Sequence, residues 1–194
     1  MNFLAHIYLS GDNDLVKIGN FAADGIHGKK HLTYPPDMQK GILLHRSIDY
    51  FTDMHPIFRQ STKRLHANYG HYSGVIVDMF YDHFLAKYWK NYAEIPLNTY
   101  IADFYKLLQE HYDILPLRIQ RLMPAMIRHN WLLSYATIDG LAVILSQMNQ
   151  RTQNKSNMNR AVVELEEYYE EFKAEFTAFF KEVIIHSQEK LKSL

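Results

Sequence analysis

An all-α fold is predicted by three features of the sequence. Apolar residues recur at helical spacing, most clearly at Val162, Leu165, Tyr169, Phe172, Phe176, Phe179 and Val183. No segment alternates apolar and polar residues for the length of a strand. Prolines and short polar residues stand where helices would begin. The expected architecture is one domain over residues 1–194, built from about eight or nine helices.

Taken in order, Asn2–Ser10 is a short helix carrying His6, followed by a turn at Gly11, Asp12 and Asn13. Asp14 is the expected cap of Leu15–Ile26, which brings Asn20 and Asp24 four residues apart among Ile18, Phe21, Ala22 and Ala23. Gly28–Pro36 reads as a loop with a small basic cluster, Lys29–His31. Pro35, Pro36 and Asp37 start the central helix, whose core is GILLHRSIDYFTDMHP, Gly41–Pro56. There His45 and Asp49 project side by side, with Asp53 a turn further, among Ile42, Leu43, Leu44, Ile48 and Phe51.

His55 and Pro56 end that helix and launch Ile57–Asn68, with a second basic patch at Arg59, Lys63 and Arg64. Gly74–Tyr92 repeats the central pattern, with Asp78, Asp82 and His83 among Val75, Ile76, Met79, Phe80 and Phe84. Leu97–Tyr112 is scaffold. Pro116 and Pro124 divide the next region into Leu117–Met123 and Ala125–Tyr135, as two helices or one kinked helix. A helix from Thr137 or Asp139 to about Gln150, a polar link over Arg151–Asn157 and the long stripe of Met158–Leu191 complete the chain.

Composition narrows the function classes. With 47% hydrophobic residues, 14 Tyr and 11 Phe, the chain has the means to fold. Lys plus Arg and Asp plus Glu are equal at 21 each, so no global field points to nucleic acid. There are no cysteines, which removes disulfides and thiolate chemistry. Met1–Ser10 lacks the basic and apolar regions of a signal peptide, and no apolar run reaches the ~18 residues of a membrane span. A cytoplasmic protein without membrane or nucleic-acid partners is the expectation, its oligomeric state left open.

The unusual feature is the number of polar residues on otherwise apolar helix faces: His6, Asn20, Asp24, His45, Asp49, Asp78, Asp82 and His83. Burial of such groups is costly unless each finds a partner. Separate salt bridges are one solution, though buried pairs add little net stability. A shared centre, with four helices aiming imidazoles and carboxylates at one ion, is the more compact solution. That donor set suits Mn, Mg, Fe or Zn.

MNFLAH at 1–6, GNFAAD at 19–24, PPD with GILLHRSIDYFTD within 35–53, and DMFYDHFL at 78–85 resemble the acyl carrier protein phosphodiesterases. Beyond residue 85 the likeness thins to Trp131, Leu132, Tyr135 and Asp139. The family in turn resembles the all-helical HD-type metal-dependent phosphohydrolases. The resemblance implies hydrolysis of holo-acyl carrier protein to the apo form, with release of 4′-phosphopantetheine and dependence on Mn2+ or Mg2+. It implies Asp24, His45, Asp82 and His83 as metal ligands, with Asp49 a ligand or the orienter of His45. Asp78 is then a general base or an outer partner, Arg46 a phosphate clamp or a structural bridge, and His6 and Asn20 part of the site wall. One departure stands out: the HD group has an adjacent His-Asp doublet, whereas Asp82-His83 runs in reverse. Ligands therefore do not transfer from that group by position. The implied substrate is an acidic carrier protein, for which Lys29–His31, Arg59–Arg64 and Arg118, Arg121 and Arg128 are candidate docking patches. The alternatives are a phosphohydrolase for nucleotides or other small phosphoesters, and a non-enzymatic helical interaction protein.

Overall fold

A computed structural model describes residues 1–194 and contains α-helices and 3-10 turns but no strand. The all-α expectation holds, with eleven α-helices where about eight or nine were expected. The excess comes from local breaks. Asn130 adopts a left-handed conformation, φ 45°, which asparagine tolerates, and it separates α7 (Leu117–Arg128) from the short α8 (Trp131–Ser134). Pro124 lies inside α7. The last expected helix divides into α10 (Val162–Glu167) and α11 (Tyr169–Ser193). A 3-10 turn, Gly28–Thr33, occupies much of the expected loop.

The site is carried by α1 (Phe3–Tyr8), α2 (Asp14–Ala22), α3 (Pro36–Met54) and α5 (Ser73–Lys87). Asn13, not Asp14, caps α2, its side chain accepting the Val16 N–H. Pro36 opens α3, where a missing N–H costs no helical bond. His55 caps α4 (Pro56–Tyr69) with its side chain, which is why one residue both ends α3 and starts its successor.

Helices α2 and α3 form the most extensive pairing in the protein, and two glycines make it possible. A Cβ on Gly19 would collide with the Met38 carbonyl, and one on Gly41 with the Val16 carbonyl and the Asn20 amide. Backbone thus lies on backbone where the two helices cross. That contact carries Asn20 and His45 to within bonding distance of each other. Around the pair, α11 buries Phe172, Phe176, Phe179, Phe180 and Val183 against α3, α4 and α5. The remaining elements, α6 (Leu97–Glu110), α7, α8, α9 (Ile138–Arg151) and α10, complete one continuous core. No helix is long and apolar enough to cross a membrane.

Candidate metal centre

Asn20 organises the site. It is fully buried, and its side-chain N–H groups go to the His6 carbonyl and Ser10 Oγ, both at 2.9 Å. Its Oδ1 is therefore an acceptor, and His6 Nδ1 donates to it at 2.7 Å. His45 Nδ1 donates to the backbone carbonyl of the same residue at 2.8 Å. One asparagine thereby fixes two imidazoles in the same tautomer, stacked with centroids 4.1 Å apart. Each points its Nε2 away from Asn20. This is the outer partnership that metal-binding histidines use.

Carboxylates meet those nitrogens. Asp49, one turn along α3, places Oδ2 3.0 Å from His45 Nε2 and Oδ1 3.2 Å from His6 Nε2. Asp24 reaches His45 Nε2 at 3.2 Å. It does so from a 3-10 turn, Ala23–Gly25, because α2 stops at Ala22, short of the expected Ile26. The ligand atoms of His6, His45 and Asp49 all lie within 4.8 Å of one another.

The chemistry of this set asks for a cation. Burial and the neighbouring His45 hold His6 down at about 4, so it is neutral near pH 7. With its proton on the Asn20 side, the Nε2 lone pair of His6 confronts Asp49 Oδ1 and, at 3.1 Å, the Met1 carbonyl. Three acceptors thus face one another with no proton between them. Burial opposes charge on His45 as well, but hydrogen bonds to Asp24 and Asp49 raise it to about 9. Burial would raise Asp49, yet the two histidines pull it well below the carboxylate range. A divalent ion among these groups would relieve the lone-pair opposition, and the residues fit one. Asn20→Ala should lower manganese affinity roughly 10–100-fold, the usual effect of losing an outer partner of a ligand. Calorimetric titration with manganese checks this; unchanged affinity would mean that Asn20 orients nothing of consequence.

Asp82 and His83 are not brought to this cluster. Neighbouring residues on a helix do not share a face, and α5 sends the two in different directions. Asp82 is fully buried and accepts the Leu4 and Ala5 N–H groups at 2.8 and 3.2 Å, satisfying the first turn of α1. His83 donates from Nδ1 to the Tyr135 carbonyl at 2.8 Å and meets the Tyr169 hydroxyl at 3.2 Å. Burial holds it neutral, at about 4. Arg46 is likewise engaged elsewhere: its Nη2 bonds the Ile26 and Gly28 carbonyls at 3.1 and 2.9 Å and ties down that loop. It bridges neither Asp49 nor Asp53.

Burial raises Asp82 to about 7 from 3.8. The folded protein therefore keeps this proton to higher pH than the unfolded chain does. The stabilising contribution is complete below pH ~4 and is lost as pH rises towards 7. Relative to Asp82→Asn, the natural protein should lose stability across that window and level off above it. Thermal melts of both proteins against pH test this; parallel curves would contradict it.

Above the cluster opens a cleft of about 380 Å³. His45, Asp24, Asp49, Asp53 and Asp78 form its acidic side; His6 lies beneath His45. Asp78 Oδ1 is 2.8 Å from the Met1 amino nitrogen, and burial raises its pKa. Phe3, Val75, Met79, Trp131, Tyr135, Ile144 and Met148 supply the apolar wall, and Arg118 and Arg151 its cations. The sequence reading placed Arg118 on a docking patch and gave Arg151 no role. Both are exposed surface arginines without a local pattern that separates them from any other.

The chain matches the family model described as acyl carrier protein phosphodiesterase over residues 1–183. It is 31% identical to the acyl carrier protein phosphodiesterase of Photorhabdus laumondii, over 93% of this chain and 91% of that one. The proteins of that name from Yersinia pestis and Yersinia enterocolitica are 29% and 28% identical, each over 98% of this chain and 99% of theirs. No solved structure matches, which leaves the likeness to the HD group resting on the sequence.

Proposed function

This chain belongs to the acyl carrier protein phosphodiesterase family, and we propose that the paired-histidine cluster at the floor of its cleft is the seat of a metal-dependent hydrolysis. The enzyme is a hydrolase acting on the phosphodiester of acyl carrier protein. The observation that carries the metal reading is the convergence of His6 Nε2, His45 Nε2 and Asp49 on one point, with Asp24 beside His45. These four residues would hold the ion, with Mn2+ or Mg2+ favoured by the carboxylates.

Held there, an ion would supply positive charge for a phosphoryl oxygen and lower the pKa of water. The protein's own groups do the rest. Asn20 holds both rings with Nδ1 as the donor, so that Nε2 of each is the atom turned towards an ion. Water adds to phosphorus, the bond to the carrier serine oxygen breaks, and the proton from water ends on that oxygen. Asp78 is the half-buried cleft carboxyl suited to carry it, since its raised pKa favours holding a proton. The products are the apo carrier protein and free 4′-phosphopantetheine. A cytoplasmic setting, where such a carrier protein would be met, belongs to the same reading.

Mass spectrometry of holo-acyl carrier protein incubated with the enzyme and manganese, with and without chelator, tests the proposal. Conversion to the apo mass that stops with chelator is expected. No conversion by folded protein with any divalent cation would overturn it. Equal hydrolysis of small phosphoesters in the absence of carrier protein would favour the small-substrate alternative.

A further inference from the structure

We propose that Arg118 binds the phosphate of the substrate's prosthetic arm and that the Trp131 wall of the cleft receives the arm itself, an assignment that rests on the function proposed above. The acidic side of the cleft creates the need. Asp24, Asp49, Asp53 and Asp78 all line it, and a phosphodiester anion approaching four carboxylates requires cationic partners. Arg46, the arginine nearest in sequence to the cluster, has its Nη2 committed to two loop carbonyls and does not line the cleft. The arginines that do are Arg118 and Arg151.

Arg118 is the one tied to the cluster. Its Nη1 donates to the Asp24 carbonyl at 3.2 Å, on the residue whose carboxylate meets His45. Its stem runs beside Gly25, where a Cβ would meet its Cβ and Cδ at 3.8 and 3.9 Å. That single bond leaves most of the guanidinium's donors for an anion, in the planar fork that suits phosphate.

Beyond Arg118 the lining changes character. Trp131, Ile144 and Met148 are apolar, with Gln147 among them and Arg151 stacked over the Trp131 ring at 5.6 Å. The Trp131 indole N–H is shielded from solvent and has no acceptor in the protein. A ligand with a phosphate at one end and an amide-bearing, partly apolar chain behind it matches this sequence of surfaces. The cleft volume of about 380 Å³ falls within the small-molecule range of ~300–1,000 Å³.

The test uses tryptophan emission, since Trp131 lines the cleft while Trp89 is buried with its N–H on the Ile95 carbonyl. 4′-Phosphopantetheine and phosphate-free pantetheine are titrated into the full-length protein. The emission change should vanish in Trp131→Phe, with Trp89 reporting that the variant is folded. Arg118→Gln should weaken 4′-phosphopantetheine at least about tenfold, leave pantetheine unchanged, and raise KM for the holo carrier more than it lowers kcat. Arg118→Lys should recover part of the loss. An emission change that persists in Trp131→Phe, or unaltered phosphate discrimination in Arg118→Gln, would overturn the assignment. If the natural protein still converts holo to apo carrier in that event, only the subsite falls; absence of conversion would remove the function itself.

Discussion

Asp49→Asn will slow conversion of holo- to apo-acyl carrier protein by on the order of 10³-fold, equal to ~4 kcal/mol at ~1.4 kcal/mol per decade. Asp49 is the carboxylate that touches both imidazoles, at 3.0 Å from His45 Nε2 and 3.2 Å from His6 Nε2. Asparagine preserves its shape but removes the negative charge that a divalent ion would need beside the two ring nitrogens. The same substitution should abolish stabilisation by manganese. A ligand at about 100 times its Kd adds ~2.7 kcal/mol, and a chain of this size gains roughly 2–4 °C in Tm per kcal/mol. The natural protein should therefore melt several degrees higher with manganese, and the variant at one temperature with or without it. Retained activity in Asp49→Asn would move the chemistry away from this cluster.

Arg64→Ala will destabilise the fold by ~3 kcal/mol, the lower end of what breaking a buried ion pair costs. Arg64 was one of three cations read as a surface patch, but its guanidinium bonds both oxygens of Glu175 at 2.7 and 2.8 Å and lies over Phe172 at 4.8 Å. Glu175 is 8% exposed and also receives Ser61 and Gln60. Truncating the arginine leaves that carboxylate buried without its counter-charge. A fall in Tm of roughly 6–12 °C should follow, with activity per folded molecule unchanged, because the pair lies outside the cleft. A carrier-binding defect at full stability would restore Arg64 to a docking role.

The helical fold was legible because the apolar period is strong, and the breaks it missed are local. Asn130 in the left-handed region interrupts a run whose composition is helical throughout. At the site, helical spacing placed His45 beside Asp49 and singled out Asn20, Asp24 and His6. It could not tell which carboxylates on α5 face the cleft. Asp78 and Asp82 are four residues apart on one face, yet Asp78 lines the cleft while Asp82 lies under the first turn of α1. The N–H groups that hold Asp82 come from residues 77 and 78 positions away, a relation no local pattern encodes. His6 read as wall for the same reason: only the crossing at Gly19 and Gly41, and the shared Asn20, bring its ring against His45. Arg118 and Arg151 reach the cleft through tertiary packing alone.

Manganese binding followed by electron paramagnetic resonance, comparing His6→Gln with His83→Gln, bears most directly on which residues form the metal centre. Both substitutions keep a polar side chain in a buried position. Loss of binding in His6→Gln with retention in His83→Gln is the predicted result. The reverse pattern, or no binding by the natural protein, would contradict the centre described here.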